Sequence, residues 1–356
     1  MDQDTANRLF EVGGKLLFLN APPRLEFGID YNAWTVGPQF KGVKMIPPGL
    51  HFIYYSSTSK EGIQGLRTGF FKYFEQAEVT AIAQRHCPHP LFSPRLLFAS
   101  GTLALKIYIR EFDIHMGPYP LEPPTYYQRW QHLTNYITPG LVLRILPNNG
   151  KVSHLPSTTP DLDLKHTRQR QALEKEQGME FTPFDLRQSF PAGATGDQIT
   201  RWSMDKSWLT QDLLHRVYHD DYRLLLGEFQ LAFVCLLMAQ NFSGFQQWKQ
   251  FVHLLCSCQD LLLKKPDLFM AFLDTLQFQL EECPVDFFRD ILSENNFLAS
   301  MLKNLRRTLP PNETQLSRRF DSLKRFIEKR FDWELDHSDE EEDDEDAPVV
   351  VDLDDM

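Results

Sequence analysis

A chain of 356 residues with 42% hydrophobic and 24% charged content can bury two or three domain cores and has the composition of a soluble globular protein. Its formal net charge of -11, much of it in the C-terminal tail, argues against a protein that coats nucleic acid, although a local basic patch stays compatible with it. The odd, irregularly spaced cysteines (Cys87, Cys235, Cys256, Cys258, Cys283) exclude a disulfide framework.

The start, MDQDTANRLF, has neither the basic nor the apolar region of a signal peptide. The longest apolar stretch in the helical half, residues 231–239, is too short to span a bilayer. A reducing, aqueous compartment is expected, which makes the glycosylation-type triplets at Asn241 and Asn312 accidental. The 28 phenylalanines are read as core material.

A polar lead ends at Leu9 and Phe10, Gly13-Gly14 forms a turn, and KLLFLN reads as a buried strand that Pro22-Pro23 terminates. Gly-Gly-Lys lacks the spacing and the following Ser/Thr of a phosphate loop. Residues 26–57 are broken by Gly28, Gly37, Gly42, Gly49, Pro38, Pro47 and Pro48, a density that helices do not tolerate. Short strands joined by turns are expected instead, with LHFIYY (residues 50–55) the clearest. Asp30, Tyr31, Asn32 and Trp34 are placed in a loop between strands. Tyr31 and Trp34 there form either a partner surface or plugs at one end of a sheet sandwich.

GFFKY (69–73) and EVTAIA (78–83) read as further strands, and residues 84–94 as a loop. His86, Cys87 and His89 in that loop have no second ligand pair, so no metal site is expected. LALKIYIR (103–110) fits a last strand or an early helix. After the rigid GPYP turn, Pro123-Pro124 can open a helix carrying Tyr127, Trp130, Leu133, Thr134 and Ile137 on one face. Residues 148–196 have the composition of a flexible linker, interrupted by Phe181, Phe184, Leu186 and Phe190, which should pin part of it to a domain.

From Asp197 the apolar period becomes 3.6, giving helices near residues 207–217, 224–240, 245–258, 267–280, 284–291, 295–306 and 317–331. The expected organisation is a β-sandwich-like N-terminal domain with a packed helix (1–147), a linker (148–196), an all-helical C-terminal domain (197–335) and an acidic tail (336–356). That tail reads DHSDEEEDDED from Asp336, a run that stays solvated, followed by Ala347, Pro348 and three β-branched valines. Pro348, Val349, Val350, Val351 and Leu353 look like a strand held out to a partner.

Familiar catalytic signatures are missing, so no enzyme activity and no cofactor are expected. Asp161 and Asp163 fall in the linker without a rigid scaffold. Cys256 and Cys258, two apart on one expected helix, point in different directions. His51 has no acid partner evident in the sequence, and Cys235 reads as a small core residue. Arg318, Arg319, Lys324, Arg325, Lys329 and Arg330 interleave with Phe320 and Phe326, which admits an alternative reading as an RNA-binding face on the last helix.

The stretch EFGIDYNAWTVGPQFKGVKMIPPGLHFIYYSS resembles the signature of the Aar-two family of splicing factors. So do GPYP with the aromatic helix after it, LLGEFQLAFVCLL, FQQWKQFVHLLC, CPVDFFRDILSENNFL, FDWEL and the tail APVVVDL, while residues 151–178 match weakly. The resemblance implies an assembly chaperone of the U5 small nuclear ribonucleoprotein, cytoplasmic with the nucleus as a second compartment. It implies binding to the RNase H-like and Jab/MPN-like domains of the large spliceosomal scaffold protein, which delays the helicase, with RNA contacted only indirectly. The tail strand and, on the folded body, Tyr31, Trp34, Arg318 and Arg319 are the candidate partner contacts. Ser153, Ser157, Thr158 and Thr159 are candidate phosphorylation positions.

Overall fold

The run KLLFL is apolar at every position after its lysine because the strand it forms is buried on both faces. Leu16 and Phe18 enter one core cluster, Leu17 and Leu19 another. The computed structural model describes residues 3–19, 21, 25–56, 68–83, 98–100, 109, 111–121, 125–146, 151–152, 179–239, 241–283, 297–309 and 314–333. The chain divides into two compact units, Met1–Cys283 and Pro284–Met356.

In the first unit, the polar lead forms a helix α1 (Gln3–Val12). The strands are β1 (Gly14–Leu19), β2 (Glu26–Ile29), β3 (Asn32–Thr35), β4 (Gly42–Ile46), β5 (Gly49–Ser56), β6 (Thr68–Phe74), β7 (Val79–Ala83), β8 (Phe98–Ser100), β9 (Met116–Pro118) and β10 (Lys151–Val152). They form a mixed sheet ordered β8-β7-β1-β4-β9 and an antiparallel sheet ordered β10-β6-β5-β2-β3. Parallel pairing of β1 with β7 and of β4 with β9 accounts for the doubly buried strands of the mixed sheet. Phe27, Ile53, Phe70 and Phe74 of the antiparallel sheet meet Leu16, Val43 and Ile46 of the mixed sheet in one core. The N-terminal region is therefore β-rich and two-sheeted, as expected, and neither sheet closes on itself among the described residues.

The aromatic helix appears as two. α2 (Thr125–Thr134) ends before Ile137, and α3 (Pro139–Ile145) restarts with Thr138 capping Leu141 N–H and proline in its first turn. The indole N–H of Trp130, buried, donates to Leu50 O at 2.6 Å and fixes α2 to β5.

The helical part begins with α4 (Gly196–Met204), α5 (Ser207–Arg216), α6 (Tyr222–Ala239), α7 (Phe242–Cys256), α8 (Gln259–Lys264) and α9 (Pro266–Glu282), so the C-terminal region is helical as expected. The short apolar stretch 231–239 lies within the longer helix α6. At 18 residues and mean hydropathy 1.5 it meets the length and composition of a membrane span. It is 67% buried inside the protein and carries the hydrogen-bonded Glu228 and Gln230, the pattern of a core helix. Gly227 lets Tyr136 O approach to 2.3 Å from where a Cβ would stand, and α2 packs on α6 and α9.

α8 was not foreseen, and it alters the cysteine geometry. α7 ends at Cys256, Ser257 breaks the helix, and Cys258 sits at the N-cap of α8, so the two thiols do not share a helix. Both are buried, as are Cys235 and Cys283, and all four are free thiols. Burial pushes the Cys258 thiol up to about 12.

The second unit contains α10 (Phe297–Thr308) and α11 (Gln315–Phe331), capped by Thr314 accepting from Ser317 N–H. The expected helix at 284–291, the loop 84–94 with His86, Cys87 and His89, nearly all of 103–110, most of the linker and the whole acidic tail lie outside the described residues.

Candidate functional site

Asp30 and His51 are 21 positions apart, and the β2–β3 hairpin brings them together. Asp30 takes the left-handed conformation of the turn (φ +52°), and Ile29 pairs with Ile53 in the register of β2 on β5. The carboxylate then accepts from Phe52 N–H at 2.9 Å, meets His51 Nδ1 at 2.7 Å and accepts from Tyr119 O–H at 2.6 Å. His51 Nε2 donates to Pro47 O at 2.8 Å. The absence of an acid partner read from the sequence is thus corrected: only the turn reveals Asp30. All three side chains are buried. The ring nitrogen that a hydrolytic His-Asp pair would turn on a nucleophile is spent on a backbone carbonyl, so this triad holds the hairpin and GPYP turn together.

The next layer joins β-rich and helical parts. Arg129 of α2 donates in bidentate fashion to Glu282 of α9, at 2.6 Å for both bonds, and its guanidinium lies over the rings of Tyr31 and Tyr126. Tyr31 stands edge-on to Trp130 at 5.7 Å, and its buried hydroxyl, beside Glu282, makes no hydrogen bond of ordinary geometry. Gln230 of α6 accepts from Tyr136 N–H at 2.9 Å and donates to His132 O and Asn135 Oδ1.

Two buried charges fasten residues 179–190 to the helices. Glu228, fully buried in α6, accepts from Thr182 N–H (2.6 Å), Thr182 Oγ1 (2.8 Å), Tyr218 O–H (2.9 Å) and Arg144 (2.5 Å). Lys206 donates to Leu186 O at 2.9 Å, Ser189 Oγ at 3.2 Å and Ser203 O. Burial lowers its pKa. The neighbouring Asp205 accepts from the first N–H groups of α5 and α8 at 2.9–3.0 Å. Pinning of part of the linker is therefore observed, with Phe184 also packing on Phe251. The apolar residues Phe181, Phe184, Leu186 and Phe190 signalled it, and a signal left unused is the acid Glu228 inside the apolar run LLLGEFQLAFVCLL, since a buried charge requires partners.

Asn32 and Trp34 belong to the edge strand β3 rather than to a loop. Trp34 is half-buried against Phe27, and Tyr31, also half-buried, packs under α2. Arg318 is exposed and Arg319 half-buried on α11. The structure thus keeps Tyr31 and Trp34 on one hairpin, and Arg318 and Arg319 on one helix. Pro348, Val349, Val350, Val351 and Leu353 lie outside the described residues. A cavity of about 240 Å³ opens between the start of β5 and α2, but Trp130 N–H, Thr134 O–H and both His51 nitrogens at its wall are already bonded within the protein. Among the described residues no cluster of three His, Cys, Asp or Glu side chains is placed to hold a metal ion.

Burial pushes the phenols of Tyr31, Tyr119 and Tyr218 far above the ordinary range, reinforced by Glu282, Asp30 and Glu228 respectively. These groups keep their protons in the fold when the unfolded chain would release them near pH ~10, so their stabilisation is complete below that pH and declines as pH rises. In an alkaline titration followed by phenolate absorbance, these three of the 11 tyrosines should ionise only in a cooperative step that coincides with loss of near-ultraviolet dichroism. Reversible titration of every tyrosine with the dichroism intact would refute this.

Residues 12–147 match the family model described as the AAR2 N-terminal domain, and residues 181–336 match the AAR2 C-terminal repeat region. The chain is 35% identical to "Protein AAR2 homolog" of Macaca fascicularis and 34% identical to that of Homo sapiens, in both cases covering 99% of this chain and 97% of the relative. The protein of that name in Caenorhabditis elegans is 32% identical, over 92% of this chain and 96% of the relative.

Proposed function

The chain belongs to the AAR2 family, and from that premise we propose that it is a non-enzymatic assembly factor of the U5 small nuclear ribonucleoprotein in pre-mRNA splicing. It binds the RNase H-like and Jab/MPN-like domains of the large spliceosomal scaffold protein and delays association of the helicase. The observation that carries this reading is the match of both regions in one chain, 12–147 and 181–336. The internal use of the conspicuous polar groups, Asp30, His51, Glu228 and Lys206, supports a scaffold for protein contacts over a reaction centre.

In this reading the two sheets form a sandwich-like platform. The tail residues Pro348, Val349, Val350, Val351 and Leu353 add as a strand to the scaffold, gaining affinity from backbone hydrogen bonds. Tyr31, Trp34, Arg318 and Arg319 supply contacts on the folded body, and the protein acts in the cytoplasm with a nuclear fraction.

Titration of the full chain against the two scaffold domains, separately and together, tests the proposal. Binding should weaken on truncation after Asp346 and equally with Val350→Pro, which removes a backbone donor, while the Tm of the free protein stays unchanged. No binding to either domain or to both together would overturn the partner assignment. Loss with truncation but not with proline would keep the tail contact and reject the strand. The second reading, RNA recognition by α11, rests on its exposed Arg318, Arg325 and Lys329. It predicts RNA binding that weakens steeply with salt and disappears on charge reversal of those residues.

A further inference from the structure

α11 presents two opposed stripes. Leu316, Phe320, Leu323, Ile327 and Phe331 are buried. Arg318, Ser322, Arg325 and Lys329 are exposed, spaced by four, three and four residues, so they form one line about 16 Å long at 1.5 Å per residue. Lys329 offsets the negative C-terminal end of the helix dipole. Arg318 lies near the N-terminal end of α11, whose first turn contains no acidic residue. The basic end of α10 adds to this field: Arg306 lies 3.5 Å from Asp321 and over the ring of Phe320, with exposed Arg307 next to it.

Asp332 is left-handed (φ +59°), its N–H donates to Glu328 O, and Trp333 stacks on Phe331 with ring centroids 5.2 Å apart. α11 therefore ends at Phe331, with Trp333 packed beside its last turn. Only residues 334–338 separate Trp333 from the uninterrupted acidic run 339–346. Eight extended residues span up to ~27 Å, enough to cover the basic line.

We propose that the acidic segment 339–346 docks on the basic line Arg318–Arg325–Lys329 of α11 in the free protein, making this helix face an acidic-peptide site whose resident occupant is the chain's own tail. A short tether gives the segment an effective concentration on the order of 1 mM, so an intrinsic Kd of roughly 0.1 mM suffices for about 90% occupancy. A competing acidic peptide then binds about ten-fold more weakly than it does to an uncovered face.

The experiment titrates a fluorescent peptide, DHSDEEEDDED, into two full-length proteins at low salt. One is the natural chain, and the other carries Asp→Asn and Glu→Gln at every position from 339 to 346. The amide variant should bind the peptide about ten-fold more tightly, and adding Arg325→Glu with Lys329→Glu should abolish the gain. Equal affinity of the two proteins, or a gain indifferent to the helix charges, overturns the proposal. Single-stranded RNA used as a second probe should likewise prefer the amide variant. RNA binding as tightly to the natural chain would show that the face is uncovered and sink the idea.

Should the charge-reversed protein fail to fold, zero-length carbodiimide coupling of the dilute natural chain replaces it. Lys329 should couple to carboxylates within 339–346 inside one monomer, and the yield should fall at high salt. Absence of that cross-link overturns the proposal.

Discussion

Glu228→Ala is expected to destabilise the protein by about 3 kcal/mol, because it strands the buried donors of Thr182 and Tyr218 and unpairs Arg144. Thr182 N–H loses its carboxylate at 2.6 Å in a segment with no strand or helix to satisfy it. Tyr218 O–H, buried, loses its acceptor on α6. Arg144 is partly exposed and can turn to water, so its share of the cost is the smaller one. In a unit of this size the loss corresponds to a fall in Tm of roughly 6–12 °C. Arg144→Ala should cost about 1 kcal/mol, since Glu228 keeps its other three donors. Hydrogen exchange separates a local from a global role: residues 179–190 should lose protection in Glu228→Ala at temperatures where α7 remains protected. A change below ~0.5 kcal/mol for Glu228→Ala, the range of an ordinary surface substitution, would remove Glu228 as the anchor of this segment.

The helical region was legible because burial imposes a period, as in Leu268, Phe272 and Leu276 of α9. What the period hides is where a helix stops. The helix expected over 245–258 runs past the real end of α7 at Cys256, and α8 was not expected at all, since only Asp205, 54 residues upstream of Gln259, supplies the carboxylate that caps its start. The linker was similarly half visible. Its aromatic residues announced contact, but the two charges that hold it, Glu228 and Lys206, lie in other parts of the sequence. β10, two residues long, exists because β6 offers an edge to pair with, and two residues carry no pattern of their own. The strands of residues 26–56 were legible from their breakers. Assignment of Trp34 to a loop failed because the turn is two residues tight, Asp30-Tyr31, so β3 begins at once.

That tight turn sets the last expectation. Asp30→Ala should cost about 3–5 kcal/mol, because it breaks a buried His-carboxylate contact, leaves Phe52 N–H and Tyr119 O–H without acceptors, and puts at φ +52° a residue without the short polar side chain that makes Asp and Asn tolerant of that conformation. Asp30→Asn should cost less, about 1–2 kcal/mol. Asparagine tolerates the left-handed turn, its carbonyl still accepts from Phe52 N–H, and its amide can donate to His51 Nδ1 while Nε2 donates to Pro47 O. Tyr119→Phe removes a single bond and should cost about 1 kcal/mol. Denaturant titration of the full chain reads the three, and their order carries the argument. If alanine is no worse than phenylalanine at Tyr119, the carboxylate does not hold the hairpin and the strand register alone suffices. If the order stands, scaffold binding measured on the well-folded Asp30→Asn protein becomes informative. Tyr31 and Trp34 ride on this hairpin, so a loss of affinity larger than the loss of stability would place the β2–β3 turn at the partner interface.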